Sequence, residues 1–114
     1  MEPYELTITE ADTLLAEKKL SSVELTRSCL QRIEHTEETI CSFISLDPDQ
    51  ALQTAEQADL RRERGEGGAL CGIPLSIKDL LCTKDVTTTC GSKILENFKP
   101  PYDATVVEKL NDHG

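Results

Sequence analysis

The sequence has no tryptophan, two tyrosines and two phenylalanines, so aromatics make up 4% of it. That excludes an interior built on aromatic packing and leaves Leu, Ile, Val and Ala to form any core. Positive charge is scarce as well: 12 Lys and Arg stand against 21 Asp and Glu, a formal net charge of −9. The one local basic group, Arg61, Arg62 and Arg64, is interleaved with Glu63 and Glu66. Such a surface repels phosphate and has few cations with which to release counterions, so direct nucleic-acid binding by this chain is not expected. No apolar run is long enough to span a bilayer, and the amino terminus, MEPYELTITE, is acidic where a targeting segment would be basic. Cys29, Cys41, Cys71, Cys82 and Cys90 show no CxxC spacing, and His35 and His113 lie far apart, which argues against a zinc site. An odd cysteine count without a signal peptide predicts free thiols in a reducing compartment. The expected location is the cytoplasm, with an organelle as the alternative, and no membrane partner is expected.

With 114 residues, 38% of them hydrophobic, the chain fits one small domain. The pattern is helical over residues 1–64, a loop over 65–70, and strand-containing over 71–114. Thr9 is the expected cap of a first helix, with Glu10 in its first turn and Ala11, Leu14 and Leu15 as its apolar stripe. Ser21 and Glu24 form a capping-box pattern. Val23, Thr26, Leu30 and Ile33 then recur at helical spacing, predicting a second helix from about Ser22 to Thr36. Glu37 and Glu38 read as a solvated turn. Residues 40–46, ICSFISL, alternate as a short strand would. Asp47 and Pro48 open a third helix reaching about Arg64, and the glycines at 65, 67 and 68 end it.

In the stretch GIPLSIKDLL, Ile73, Leu75 and Ile77 alternate with Pro74, Ser76 and Lys78, which predicts a strand ending on the lysine. Pro74 marks an end without a ladder partner on one side. Residues 83–89 are read as strand and turn, Ser92 as the start of a short helical segment to Leu95, and Asp103 as the cap of a last helix. Leu80, Leu81 and Cys82 continue the apolar run beyond Lys78, so the lysine lies inside that run rather than at its border. Lysine is a poor base at its free pKa of about 10.4, but burial among apolar groups can lower that by as much as ~3–5 units. A neutral Lys78 could then take a proton from a serine hydroxyl and make it a nucleophile. The plain alternative is a strand end in solvent, with Lys78 paired to Asp79. Ser76 is a hydroxyl on the same predicted face, but nothing around it marks a nucleophile. GxSxG, HExxH and phosphate-cradling glycine loops are all missing.

The run GIPLSIKDLLCTKDVTTTCGSKILENF followed by KPPYDATVVEKL resembles the amino-terminal region of the amidase signature family. Within that family it looks most like the amidotransferase branch that supplies ammonia for converting mischarged tRNA. The resemblance covers at least residues 70–112. It implies an α/β fold, an α/β/α mixed-sheet domain of which this chain would be a helix-rich amino-terminal portion. It also implies a Ser–cis-Ser–Lys triad in which only the lysine maps here, at Lys78; both serines would lie in a Gly/Ser-rich stretch downstream. Ser42, Ser76 and Ser92 have the wrong context for either role. The implied substrate is glutamine, and the ammonia would pass to a partner B subunit that uses ATP and magnesium, with a small C subunit wrapped around the A subunit. Mischarged tRNA would be met mainly through the partner, and no cofactor is implied in this chain. A general amidase acting on another small amide and a non-catalytic helical binding module are the alternatives. His113 departs from the family pattern, which has Ala before Gly. The chain is therefore expected to be a fragment, inactive without its serines and marginally stable alone because sheet edge and apolar helix faces would be exposed.

Overall fold

The computed structural model describes residues 1–114. Four α-helices are present: α1, Ile8–Ala16; α2, Ser22–Ile40; α3, Pro48–Glu63; and α4, Thr105–Asp112. Two short 3-10 turns, Pro3–Glu5 and Lys93–Leu95, accompany them, and the chain forms no β-strand. It divides into two compact units, residues 1–74 with Gly114, and residues 75–113.

The first unit is made by capped helices. Thr7, not Thr9, caps α1: Glu10 N–H donates to the Thr7 hydroxyl at 3.3 Å, and the Glu10 carboxylate accepts Thr7 N–H at 2.8 Å. The reciprocal capping box stands two residues earlier than expected because Thr7–Glu10 has the required spacing and Thr9 has Asp12, which is too short to reach back. Thr9 is instead inside the helix, where its carbonyl accepts the Thr13 hydroxyl. At the other end Lys18 takes φ 56°, and Lys19 N–H donates to Leu14 O at 2.9 Å. This is the left-handed termination usually given to glycine, and with a Cβ it costs about 1 kcal/mol.

The capping box of α2 is the expected one, Ser21 with Glu24. Asp59, from α3, adds a second cap, accepting Ser22 N–H at 2.7 Å and Val23 N–H at 3.2 Å. The helix runs past Thr36 to Ile40, so the expected turn at Glu37–Glu38 is its last turn. Cys41, at φ 52°, terminates it. Residues 41–46 are irregular and Ile44 and Leu46 are exposed, so the predicted strand is not formed. Alternation gives a strand only where a neighbour completes the ladder, and here the Glu37 carboxylate takes Phe43 N–H at 2.7 Å instead.

Helix α3 begins as the sequence predicts, with Asp47 as cap and Pro48 in its first turn. Its buried residues are Ala55 and Ala58, and these small side chains allow close approach to α2. Ala11, Leu15 and Leu25 form the core cluster, with Leu6, Leu20, Cys29 and Ile73 packed around it. Each of the two leucines contributes about 2 kcal/mol by leaving water. Cys71 is fully buried, and burial pushes the Cys29 thiol up; all five cysteines are free. Arg62 ties the unit together: its Nε donates to Cys71 O at 2.7 Å and its Nη2 meets Asp12 Oδ1 at 2.6 Å. Gly72 is needed for two reasons. Its φ is 85°, and a Cβ there would come within 3.0 Å of Ser22 Cβ. The Ser22 hydroxyl, itself buried, donates to Gly72 O at 2.9 Å.

The second unit has little regular structure. Residues 73–78 and 87–89 carry no ladder, so the predicted strands there are absent. Asp85 N–H donates to Pro100 O and Thr88 N–H to Phe98 O, both at 3.0 Å, which lays the two segments side by side without the regular exchange of a sheet. Ser92 caps the turn Lys93–Leu95, as expected. Asp103 does not cap α4, whose cap position is Ala104, with no side-chain hydrogen bond; the Asp103 carboxylate accepts Lys84 N–H at 2.7 Å instead. No helix of the chain is long and apolar enough to cross a membrane.

Candidate functional site

Lys78 lies at the end of the irregular segment 73–78, where the chain turns: Leu81 N–H donates to Lys78 O at 3.0 Å. The lysine is exposed, and so are Leu75, Ser76, Ile77 and Leu80 around it. The burial expected from the apolar run is therefore not provided by these residues. An alternating segment buries a face only when a second layer covers it, and the buried residues of this unit are Thr88, Thr89, Pro100 and Val107. Ser76 is near in sequence but makes no hydrogen bond that would mark a nucleophile. Ser92 is engaged in its cap, and Ser42 donates to Glu37 Oε2 at 2.7 Å in the other unit.

The second sequence alternative, an ion pair between Lys78 and Asp79, is not formed. The two ion pairs of the structure are Lys19–Glu17 and Arg62–Asp12. Asp79 is turned to the loop at 89–91. Its Oδ1 accepts Thr89 N–H at 2.8 Å, and its Oδ2 accepts the Thr89 hydroxyl and, at 3.5 Å, Gly91 N–H. Its main-chain carbonyl accepts Cys90 N–H at 2.7 Å. The loop can present these donors because Cys90 and Gly91 take φ 52° and 70°. At Gly91 only glycine does so without strain. The Thr89 hydroxyl, then the Thr89 and Gly91 amides, and last the charge of Lys78, hold the Asp79 carboxyl below the usual aspartate range.

The structure thus joins the IKD and TTTCGS segments through Asp79 and Thr89, a contact the sequence reading did not contain. Thr87–Thr89 read as strand, and Asp79 read as the partner of Lys78. The available signal was an Asp followed ten residues later by Thr-Cys-Gly, a turn-forming set. No three His, Cys, Asp or Glu side chains come together in a way that could hold a metal ion.

Comparison with known proteins gives this arrangement a context. The amidase family model matches residues 24–114. The A subunit of a glutamyl-tRNA(Gln) amidotransferase from Desulfosudis oleivorans is 54% identical over 114 residues, covering 100% of this chain and 24% of that protein. Its namesake from Pseudomonas aeruginosa is 51% identical over 111 residues, covering 97% and 23%. Among solved structures, PAM12A aligns with a TM-score of 0.90 at 35% identity, over 100% of this chain and 24% of that one. A vestigial protein complex described as revealing the evolutionary origins of an s-triazine catabolic enzyme aligns at 0.86 and 31%, over 96% and 24%. The chain spans about a quarter of the length of the curated relatives it matches.

Proposed function

The chain belongs to the amidase family, and from that premise we propose that it is the amino-terminal part of the A component of a glutamine-dependent aminoacyl-tRNA amidotransferase. The observation that carries this reading is identity of 54% along the whole chain to a protein of that name. In the reading, polypeptide beyond residue 114 covers Lys78 and supplies two serines. The segment 73–78, irregular and unpaired here, becomes a strand of a mixed α/β/α sheet when a neighbouring strand is supplied. Lys78, enclosed and neutral, accepts the proton of the bridging serine as that serine deprotonates the nucleophile. The nucleophile attacks the glutamine amide carbon, the relay returns its proton to the amide nitrogen, the C–N bond breaks and ammonia leaves, and water then hydrolyses the serine ester to release glutamate. Ammonia then passes to the B subunit, where ATP and magnesium would serve the activation of mischarged tRNA, and a small C subunit completes the complex. The acidic surface of this chain fits contact with tRNA mainly through the partner. The complex would work in the cytoplasm or an organelle, and these 114 residues alone would be inactive.

The test uses the full-length protein in its complex. Lys78→Ala is expected to lower glutamine hydrolysis by about 10²–10⁴-fold, the usual range for a general base. Hydrolysis at the unchanged rate would overturn the assignment. The similarity to a complex linked with s-triazine catabolism keeps a second reading, an amidase for another small amide. Release of ammonia from other amides but not from glutamine would select it.

A further inference from the structure

We propose that Asp79 is a positioning residue, whose carboxylate, committed to Thr89 and Gly91, fixes the main chain carrying Lys78 and is thereby kept off the lysine amine. The inference rests on the reading of Lys78 as the base. Two independent links join residue 79 to the loop: the carboxylate to Thr89 and Gly91, and the carbonyl to Cys90 N–H at 2.7 Å. The Thr89 hydroxyl is itself held, accepting Gly91 N–H at 3.1 Å, and Thr89 is buried. The donors therefore sit on a fixed frame while the neighbouring Lys78 side chain projects from it into solvent. This arrangement has a chemical use. A carboxylate in contact with an amine favours the charged form, which cannot accept a proton. The adjacent aspartate is the nearest acid along the chain, and Thr89 and Gly91 occupy it.

The experiment compares Thr89→Val, Thr89→Ser, Asp79→Asn and Lys78→Ala in the full-length protein with its partners, measuring glutamine hydrolysis per folded active site. Thr89→Val removes the hydroxyl donor and is expected to lower kcat by about 10- to 100-fold, as a small misplacement of a reacting group does. KM should stay within about twofold, the pattern of an interaction used only in the transition state. Thr89→Ser is expected to restore most of kcat. Asp79→Asn keeps the shape but offers an amide where an acceptor is needed, and should lower kcat similarly. Unchanged kcat per folded site in Thr89→Val or Asp79→Asn, with only a lowered Tm, means a structural clamp and overturns the inference. Because Asp79→Asn is read separately, the result stands even where Thr89→Val does not fold. If Lys78→Ala is inactive while these variants are not, positioning alone fails; if Lys78→Ala is active, the reading beneath it fails.

Discussion

Residues 1–74 bury Ala11, Leu15, Leu25, Ala55, Ala58 and Cys71 among three capped helices, whereas residues 75–113 bury only Thr88, Thr89, Pro100 and Val107. The first unit loses apolar surface to a shared core. The second holds its loops with side-chain-to-backbone hydrogen bonds from Asp79, Asp103 and Thr89, and leaves Leu75, Ile77, Leu80, Val86 and Ile94 facing solvent. The candidate lysine belongs to the second. Hydrogen bonds to fixed donors can set the direction of a loop, but they exchange with water and contribute about 1 kcal/mol each. Apolar burial stabilises more and specifies less at any one atom. The contrast separates a part held by a shared apolar core from a part held by hydrogen bonds, which carries the candidate lysine.

The contrast breaks most sharply in the core. Leu25→Ala is expected to destabilise by about 2–5 kcal/mol, whereas Ile94→Ala, at a residue 93% exposed, should stay within about 0.5 kcal/mol. Urea unfolding of the full-length protein followed in each unit would show it, and equal losses would remove the distinction. A smaller effect is expected at the cap supplied by α3. Asp59→Ala frees the Ser22 and Val23 amides and should cost about 1–2 kcal/mol, read as faster hydrogen exchange in the first turn of α2. Exchange unchanged there would mean that Ser21 and Glu24 cap the helix alone.

The smallest effect is set by pH. The amide and then the hydroxyl of Ser21 hold the Glu24 carboxyl below the ordinary glutamate value, and Thr7 does the same for Glu10. A lowered folded value means that the stabilisation is present above the unfolded value of 4.5 and is lost as pH falls through the folded one. The Asp79 link follows the same sign from 3.8 downward. The first unit should therefore begin to weaken at slightly higher pH than the loop at 89–91. Glu24→Gln should flatten the acid dependence of α2 as pH falls below 4.5. Loss of the Asp79–Thr89 contact before any change in the caps, followed by NMR, would reverse the order.

Much of the first unit was legible because its signals are local. Ser21 with Glu24, and Asp47 with Pro48, bring a cap and its helix within one turn, so sequence spacing and spatial distance coincide. The shift from Thr9 to Thr7 came from side-chain reach: glutamate at the third position spans back to the cap, and aspartate does not. The strands at 40–46, 73–78 and 83–89 failed because alternation states a preference for a ladder without supplying the neighbour that completes it. Asp103 and Asp79 were misread for a related reason: each carboxylate serves a backbone amide far along the chain.

What the sequence by itself determined is the family, the acidic composition and the caps of α2 and α3, all of which depend on residue identity and short spacing. Only the tertiary structure decided that Asp79 turns to Thr89 and Gly91 rather than to its neighbour Lys78, and that the lysine stands in solvent on this part of the fold. Charge adjacency favours the neighbour, but a carboxylate goes where several fixed donors converge, and that convergence exists only after the chain has folded back across ten residues.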